Sequence, residues 1–202
     1  NPFHMAVKKT ELREKAKQYF QNMILAAHEL SCPKLLITSG WQSYSETRQE
    51  AWDRSVWMVG ELCRFAEKYG VSLTMETLSR QSTTLVNTIS DLKQMMKEVN
   101  SKAFTITADI HTIYNAKESI QDYFDTFGKD VIHTHFVDGK PTGHLAWSDG
   151  TRDLKQDLLD LEANGYHGYL SLETATSRYY EKPWVAEQTT LKAFEKLGKE
   201  EK

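Results

Sequence analysis

Cysteine and proline are scarce in this sequence, with two cysteines and four prolines among 202 residues. A disulfide framework is excluded as the source of stability, because Cys32 and Cys63 stand alone, one before a proline and one within an amphipathic helical pattern. Both are typical of reduced thiols that serve as small apolar side chains. This use of cysteine predicts an intracellular, cytoplasmic protein.

Long apolar runs and an excess of basic charge are also missing. No stretch of the sequence approaches the roughly 20 apolar residues that span a membrane, and no signal peptide opens it. The formal net charge is −3 and no stripe of lysine or arginine is visible, so neither a membrane nor a nucleic acid is expected as a partner. The first residue is Asn1 rather than methionine, which predicts that the natural chain begins further upstream.

The residues that are present alternate between helical and strand patterns. Helix starts are indicated by the N-cap candidates Thr10 and Thr88 and by a capping box of Ser43 with Glu46. Helix ends are predicted at Gly70, Gly128 and Gly165, and a last helix begins near Pro183. Strands are predicted at 35–39, 71–78, 104–110, 131–138 and 168–174. No flexible linker interrupts the series, so residues 1–202 are predicted to form a single α/β domain with a parallel sheet.

The side-chain parity of the strands distinguishes a barrel from an open, doubly wound sheet. In segment 71–78, Leu73 and Met75 share one face, and Thr74 and Glu76 share the other. Strands that helices cover on both sides are apolar on both faces, whereas this strand and the later ones are apolar on one face only. The pattern therefore favours a (β/α)₈ barrel, with helices outside and polar side chains facing the mouth.

Four of the predicted strands end in a side chain that can bind a metal ion. The last inward-facing residues are Glu76, Asp109, His135 and Glu173. Each acidic residue taken alone is more typical of a helix N-cap or a solvated loop than of a metal ligand. Their shared position and parity predict one site, because parallel strands deliver their carboxyl ends to the same edge. Three carboxylates and one imidazole suit one divalent ion, either Mn²⁺, Mg²⁺, Co²⁺ or Zn²⁺.

Around these positions the sequence resembles the xylose isomerase-like TIM barrel superfamily of sugar isomerases, epimerases and endonuclease IV-type enzymes. It is most similar to the fructoselysine 3-epimerase and ketose 3-epimerase branch. The motifs that carry the likeness are Met75-Glu76-Thr77-Leu78-Ser79, Asp109-Ile110, His133-Thr134-His135-Phe136-Val137-Asp138, Gly143-His144, Ser148-Asp149-Gly150 and Leu172-Glu173. The likeness implies that the five strands are the fourth to the eighth of a (β/α)₈ barrel. Because such a barrel has about 250 residues, roughly 80–100 residues with three further units are expected before Asn1.

The resemblance also implies an activity. The four residues Glu76, Asp109, His135 and Glu173 match the metal ligands of the family, and a ketose is expected to bind the ion through its carbonyl oxygen and a neighbouring hydroxyl. Glu76 and Glu173 are then the catalytic pair on opposite faces of the substrate carbon. One removes a proton, the ion stabilises the enediolate as a Lewis acid, and the other returns a proton.

Other residues are candidates for contact with a small-molecule sugar substrate. They are Ser82, His111, His144, Trp147 and Arg178. Ser82 stands where the ketose 3-epimerases have a substrate-binding glutamate, and Pro141 stands in place of their arginine. Arg178 is followed by two tyrosines, so that packing of its own loop is an equally good interpretation.

Two other functions stay open. An endonuclease IV-like phosphodiesterase is suggested by His144, which matches a zinc-ligand histidine of that branch, although Thr142 replaces an expected aspartate. A non-catalytic barrel that binds a sugar or a metal is the second, since a fold alone does not specify a function. A homo-oligomer is compatible with each of these functions.

Overall fold

A computed structural model describes residues 3–139 and 143–200 and contains a five-stranded sheet. The strands pair in the order β1-β2-β3-β4-β5, and the pairings of β1 with β2, β2 with β3 and β4 with β5 are parallel. In a doubly wound sheet the spatial order of the strands reverses at a switch point. Here each strand lies beside the next one in the chain, without such a reversal. The predicted TIM-barrel type of topology is thus confirmed over these five strands. The strands are β1 Lys34–Ile37, β2 Ser72–Met75, β3 Phe104–Asp109, β4 Val131–His135 and β5 Leu170–Ser171.

Seven α-helices accompany the strands within the described residues. The predicted alternation is confirmed, with one difference: two short helices rather than one lie between β3 and β4. None of the helices in the described ranges is long and apolar enough to cross a membrane. The helices are α1 Thr10–Glu29, α2 Arg48–Glu67, α3 Ile89–Val99, α4 Ile110–Asn115, α5 Ile120–Phe127, α6 Leu154–Ala163 and α7 Trp184–Glu200.

The helix ends confirm some of the predicted caps and correct others. Thr88 caps α3 by accepting a hydrogen bond from the backbone N–H of Asp91, and Gly128 ends α5 with a φ of 52°. The predicted capping box of Ser43 and Glu46 is wrong, since α2 is capped by Thr47 in a box with Glu50. The Glu46 carboxylate instead accepts from the backbone of Ser43 and pairs with Arg54, which holds the turn before the helix.

A second cap is also corrected. Lys9 occupies the N-cap position of α1, and Thr10 is the first helical residue. The hydroxyl of Thr10 accepts a hydrogen bond from the guanidinium of Arg13 rather than capping the backbone.

The chain forms two compact units. The first contains the described residues up to Thr107 together with Lys129–Ile132. Its core includes Leu73 and Met75 of β2, both fully buried, as parity predicted. On the opposite face the hydroxyls of Thr74 and Thr107 lie 2.8 Å apart in a buried hydrogen bond.

The second unit contains Ala108–Gly128 and the described residues from His133 onward. In its core the rings of Phe136 and Trp147 pack with centroids 4.7 Å apart. Thr134 and His135 of β4 lie in register with Leu170 and Ser171 of β5. This register fixes the carboxyl ends of β4 and β5 side by side, which is where the candidate site of this unit lies.

Candidate metal centre

Asp109 is the last residue of β3 and is completely buried. It is also the N-cap of α4, because its Oδ1 accepts a hydrogen bond of 2.9 Å from the backbone N–H of Thr112. The N-cap role suggested for a lone acidic residue therefore exists here. It uses only one carboxylate oxygen, and Oδ2 faces the imidazoles of His135 and His144.

His135, the last residue of β4, lies between two carboxylates. Its Nδ1 is 3.0 Å from Oε2 of Glu173 and 3.5 Å from Oδ2 of Asp109. Glu173 follows β5 by two residues, and its side chain is 41% exposed, whereas that of Asp109 is 1% exposed. The two carboxylates thus differ in access to solvent, although both contact the same imidazole.

These residues form a cluster of glutamate, aspartate and histidine that could bind a metal ion. One ligand atom each from Asp109, His135 and Glu173 lies within 4.8 Å of the others. Two carboxylates and an imidazole are ligands that divalent cations accept, so the donor set fits such an ion. In the other unit, Glu76 is the first residue after β2 and is 6% exposed.

The electrostatics of the cluster keep Asp109 ionised. Burial acts to raise the pKa of its carboxyl, but hydrogen bonds from His135 and His144 more than offset that effect. Together with the charge of His144 and the backbone N–H of Thr112, they hold the pKa of Asp109 well below its ordinary value. A buried carboxylate that stays ionised must be paired with a donor or a cation, and here it is paired with imidazoles that can also bind a metal ion.

His144 contacts the same two carboxylates as His135. Its Nε2 is 3.0 Å from Oδ2 of Asp109 and 3.4 Å from Oε2 of Glu173. The sequence predicted His144 as a substrate contact, and its likeness to endonuclease IV gave it as a match to a zinc-ligand histidine, but nothing in its spacing placed it against the two acidic residues. It lies in the loop after β4, whose fold is not readable from a hydrophobic period.

His111 lies beside His144, with ring centroids 4.7 Å apart. Its Nε2 is 2.8 Å from the side-chain nitrogen of Asn115, and burial followed by the charge of His144 lowers its pKa. A Cβ at position 139 would lie 2.3 Å from Nδ1 of His111, so Gly139 leaves the space that this imidazole occupies.

The remaining residues that were predicted to contact a substrate lie apart from the carboxylates that His144 contacts, or have other partners. The prediction for Trp147 is corrected, because it is 1% exposed and its indole N–H donates to the carbonyl of Phe136. Arg178 is exposed and pairs with Asp149 at 3.0 Å, as its packing interpretation expected. Ser82 lies in an exposed turn, where its backbone N–H donates to Ser79. The predictions at Pro141 and Thr142 lie outside the described residues.

The residue that anchors the loop after β4, in which His144 lies, was not predicted from the sequence. Asp138 is 1% exposed, and its carboxylate accepts hydrogen bonds from the backbone N–H groups of Gly150 and Arg152. Its own backbone pairs with Leu145, the residue after His144. An aspartate directly before Gly139, in a segment that also contains Gly143, was the available signal, since aspartate side chains favour bonds to nearby backbone.

Comparison with known proteins gives this geometry a context. Fructoselysine 3-epimerase of Shigella flexneri is 26% identical over 198 residues, which cover 97% of this chain and 71% of that protein. The crystal structure of the 3-keto-D-glucoside 4-epimerase of E. coli has a TM-score of 0.81 at 17% identity and covers 96% of this chain and 75% of its own. The IOLI protein, solved with a zinc atom bound, has a TM-score of 0.77 at 21% identity and covers 94% of this chain and 71% of its own.

The two structural likenesses show the fold alone. A family assignment comes from the sequence itself, since the pattern of one family matches residues 1–195. This chain belongs to the xylose isomerase-like TIM barrel family.

Proposed function

We propose that this chain is a divalent-metal-dependent epimerase or isomerase that acts on a ketose or a ketose derivative. The observation that carries the proposal is the convergence of ligand atoms from Asp109, His135 and Glu173 within 4.8 Å, at the ends of three successive strands. In barrels this end of the strands carries the active site. The names of the similar epimerases support a sugar as the substrate. On this proposal the five strands correspond to the fourth to the eighth of the family barrel.

The proposed ligands of the ion are Glu76, Asp109, His135 and Glu173. Glu76 is included because it directly follows β2, at the end of its strand that corresponds to the positions of Asp109 in β3 and His135 in β4. Three carboxylates and an imidazole are compatible with Mn²⁺, Mg²⁺, Co²⁺ or Zn²⁺. The zinc atom of the IOLI structure supports an ion in a related barrel.

The chemistry of the proposal is proton transfer next to a carbonyl group. An ion in the centre would supply Lewis acidity that stabilises the negative charge of the enediolate. Glu173 is the better placed of the two carboxylates at His135 to exchange a proton with substrate, because 41% of its side chain is exposed. Asp109 is fixed at the cap of α4 and fully buried, so its role is to hold charge and geometry.

Glu76 is proposed as the second acid–base group. A 3-epimerisation needs proton removal on one face of a carbon and proton return on the other, so one carboxylate alone cannot invert the centre. Glu76 is 6% exposed, so little bulk water reaches its carboxylate. His111 and Arg178 remain proposed contacts for substrate hydroxyls.

Turnover of a ketose panel in deuterated water tests the proposal. Ketohexoses, ketopentoses and fructosamine-type derivatives are incubated with the chain and each divalent ion, and the products are followed by NMR. Epimerisation with deuterium incorporated at the inverted carbon is expected, with loss of turnover on chelation and recovery when the ion is returned. An absence of exchange with every ketose and ion would contradict it, and nicking of abasic DNA in its place would favour the phosphodiesterase alternative.

A further inference from the structure

The hydroxyl of Tyr179 joins two loops of the second unit. It donates a hydrogen bond of 2.6 Å to Oδ2 of Asp149 and accepts one of 2.9 Å from the backbone N–H of Ala146. These two partners lie in the loop after β4, which also carries His144. Tyr179 lies in the loop after β5, which carries Glu173, and only 4% of it is exposed. One buried hydroxyl therefore holds together the loops of two candidate site residues.

The turn formed by residues 146–149 depends on such support, because its backbone is strained. The backbone N–H of Asp149 donates to the carbonyl of Ala146 at 3.0 Å and closes the turn. Within it, Ser148 has a φ of 83°, in the left-handed region that a residue with a Cβ seldom adopts. Such a conformation persists only where the surrounding contacts fix it. The Tyr179 hydroxyl bonds to the first and the last residue of the turn and supplies contacts of that kind.

The segment between Glu173 and Tyr179 has little slack. The backbone N–H of Ala175 donates to the carbonyl of Glu173 at 2.9 Å, and that of Tyr179 donates to the carbonyl of Thr176 at 3.1 Å. Thr176 also lies against the loop after β4, since a Cβ at Gly143 would be 3.8 Å from the Cβ of Thr176. Because this segment is folded into short turns, a shift of Tyr179 also moves Glu173.

We propose that Tyr179 is a positioning residue of the site and that its hydroxyl fixes the place of Glu173 relative to the loop after β4. This inference rests on the proposed function, because the group that it positions is the proposed acid–base carboxylate. Proton transfer tolerates little misplacement, since an error of about 1 Å can lower a rate about a hundredfold. Tyr179 acts through Glu173 and is not itself a catalytic residue.

A role in packing alone explains the ring of Tyr179 but not its hydroxyl. The ring lies in a buried cluster with Ala146 and Ala186, where phenylalanine would fill the same space. Burial and the Asp149 carboxylate raise the pKa of Tyr179, so that its hydroxyl keeps its proton at neutral pH and remains a donor. The carboxylate of Asp149 also pairs with Arg178 at 3.0 Å, which holds the acceptor in place.

Tyr179→Phe tests the inference, because it keeps the ring and removes the hydroxyl. At saturating ion concentration, kcat for the best ketose should fall about tenfold while KM changes less than about twofold, since a displaced acid–base group slows the chemical step rather than binding. Hydrogen exchange, measured by mass spectrometry on the metal-free protein, should become faster in residues 143–149 and 173–179. Tyr166→Phe is the control, because it removes a hydroxyl that donates to the carbonyl of Tyr169 in the same unit. It should leave kcat and the exchange of both loops unchanged.

Asp149→Asn separates the hydroxyl bond from the ion pair, since asparagine still offers an acceptor oxygen to Tyr179 but no charge to Arg178. It should retain most of the kcat that Tyr179→Phe loses. Circular dichroism verifies the fold of each variant. Wild-type kcat or wild-type exchange in a folded Tyr179→Phe, or an equal loss of kcat in Asp149→Asn, would overturn this inference and leave the proposed function standing. A wild-type chain that turns over no ketose with any ion would overturn both.

Discussion

The buried hydroxyl pairs of the first unit are neutral, whereas the cluster at the strand ends of the second unit contains charged groups. In the first unit the hydroxyls of Thr74 and Thr107 bond to each other at 2.8 Å, and those of Ser39 and Thr83 lie 3.1 Å apart. In the second unit, Asp109 is an anion with no exposed surface, in contact with imidazoles.

The difference shows what each cluster can do. A pair of hydroxyls requires no counter-charge, because both groups are neutral and one donates a hydrogen bond to the other. A buried carboxylate beside imidazole nitrogens is stable only with a proton or a cation to balance it. The neutral cluster is therefore a structural element, and the charged cluster is suited to bind an ion.

The largest expected effect tests the charged cluster as a catalytic site. At saturating ion concentration, Glu173→Gln should lower turnover at least about a hundredfold, because the amide cannot exchange a proton with substrate. Steady-state kinetics with the best ketose measure it. Glu181→Gln, which neutralises an exposed carboxylate in the loop after Glu173, is the matched control and should leave turnover unchanged. Near-normal turnover of the Glu173 variant would rule out the two-glutamate mechanism.

Asp109→Asn separates the ligand role of this residue from its capping role. Asparagine is as good an N-cap as aspartate, so the hydrogen bond from the backbone of Thr112 should persist. Ion affinity should fall at least about tenfold, because the charged oxygen facing the imidazoles is lost. Calorimetric titration of the metal-free protein measures the change. Asp153→Asn, at the equivalent cap of α6, should bind the ion like the wild type, and equal losses in both variants would refute the distinction.

The neutral cluster is tested by a double-mutant cycle. Thr74→Val alone should lower the free energy of unfolding by about 1–3 kcal/mol, because it leaves the buried hydroxyl of Thr107 without its partner. The double variant with Thr107→Val should lose less than the sum of the two single variants, since no hydroxyl then remains to be satisfied. Chemical denaturation measures all four proteins. Simple additivity, or a loss of ion affinity as large as that of Asp109→Asn, would contradict the structural role.

The smallest expected effect concerns the thiols of Cys32 and Cys63, which belong to neither cluster. Burial raises the pKa of Cys63 to about 12, and Cys32 is exposed. Since the thiolate is the reactive form, iodoacetamide at pH 8 should label Cys32 and leave Cys63 unmodified in the folded chain. Mass spectrometry after digestion measures the labelling. Both thiols should react in denaturant, and rapid labelling of Cys63 without denaturant would show that α2 is less tightly packed than described.

Sequence signals predicted helix ends correctly where the interaction that ends the helix lies within a few residues of it. The cap at Thr88 and the stop at Gly128 depend on a side chain and its neighbours three or four residues away. The failures at Thr10 and Ser43 concern which residue is the N-cap: α1 begins after Lys9, whose side chain makes no capping hydrogen bond, and α2 is capped by Thr47 rather than Ser43. At α2, the Glu46 carboxylate accepts from the backbone of Ser43 within the turn before the helix, and Thr47 is the residue that caps the helix.

The contacts of the loops were less predictable. Trp147 follows a strand in the sequence, which suggested a substrate wall, but the loop folds back and buries it against Phe136. Arg178 finds Asp149, which lies 29 residues earlier in the chain. Nothing in the spacing of either residue encodes these partners, because loops have no regular period.

The sequence by itself determined the alternation of strands and helices and the face of each strand that is polar. It also determined that Asp109, His135 and Glu173 share an edge, because successive parallel strands present their ends together. Only the tertiary structure decided that His144 contacts the same carboxylates, and that one oxygen of Asp109 caps a helix while the other faces the imidazoles. Periodicity fixes where a strand points its side chains, but the position of a loop residue depends on long-range contacts such as those of Asp138, which exist only once the chain has folded.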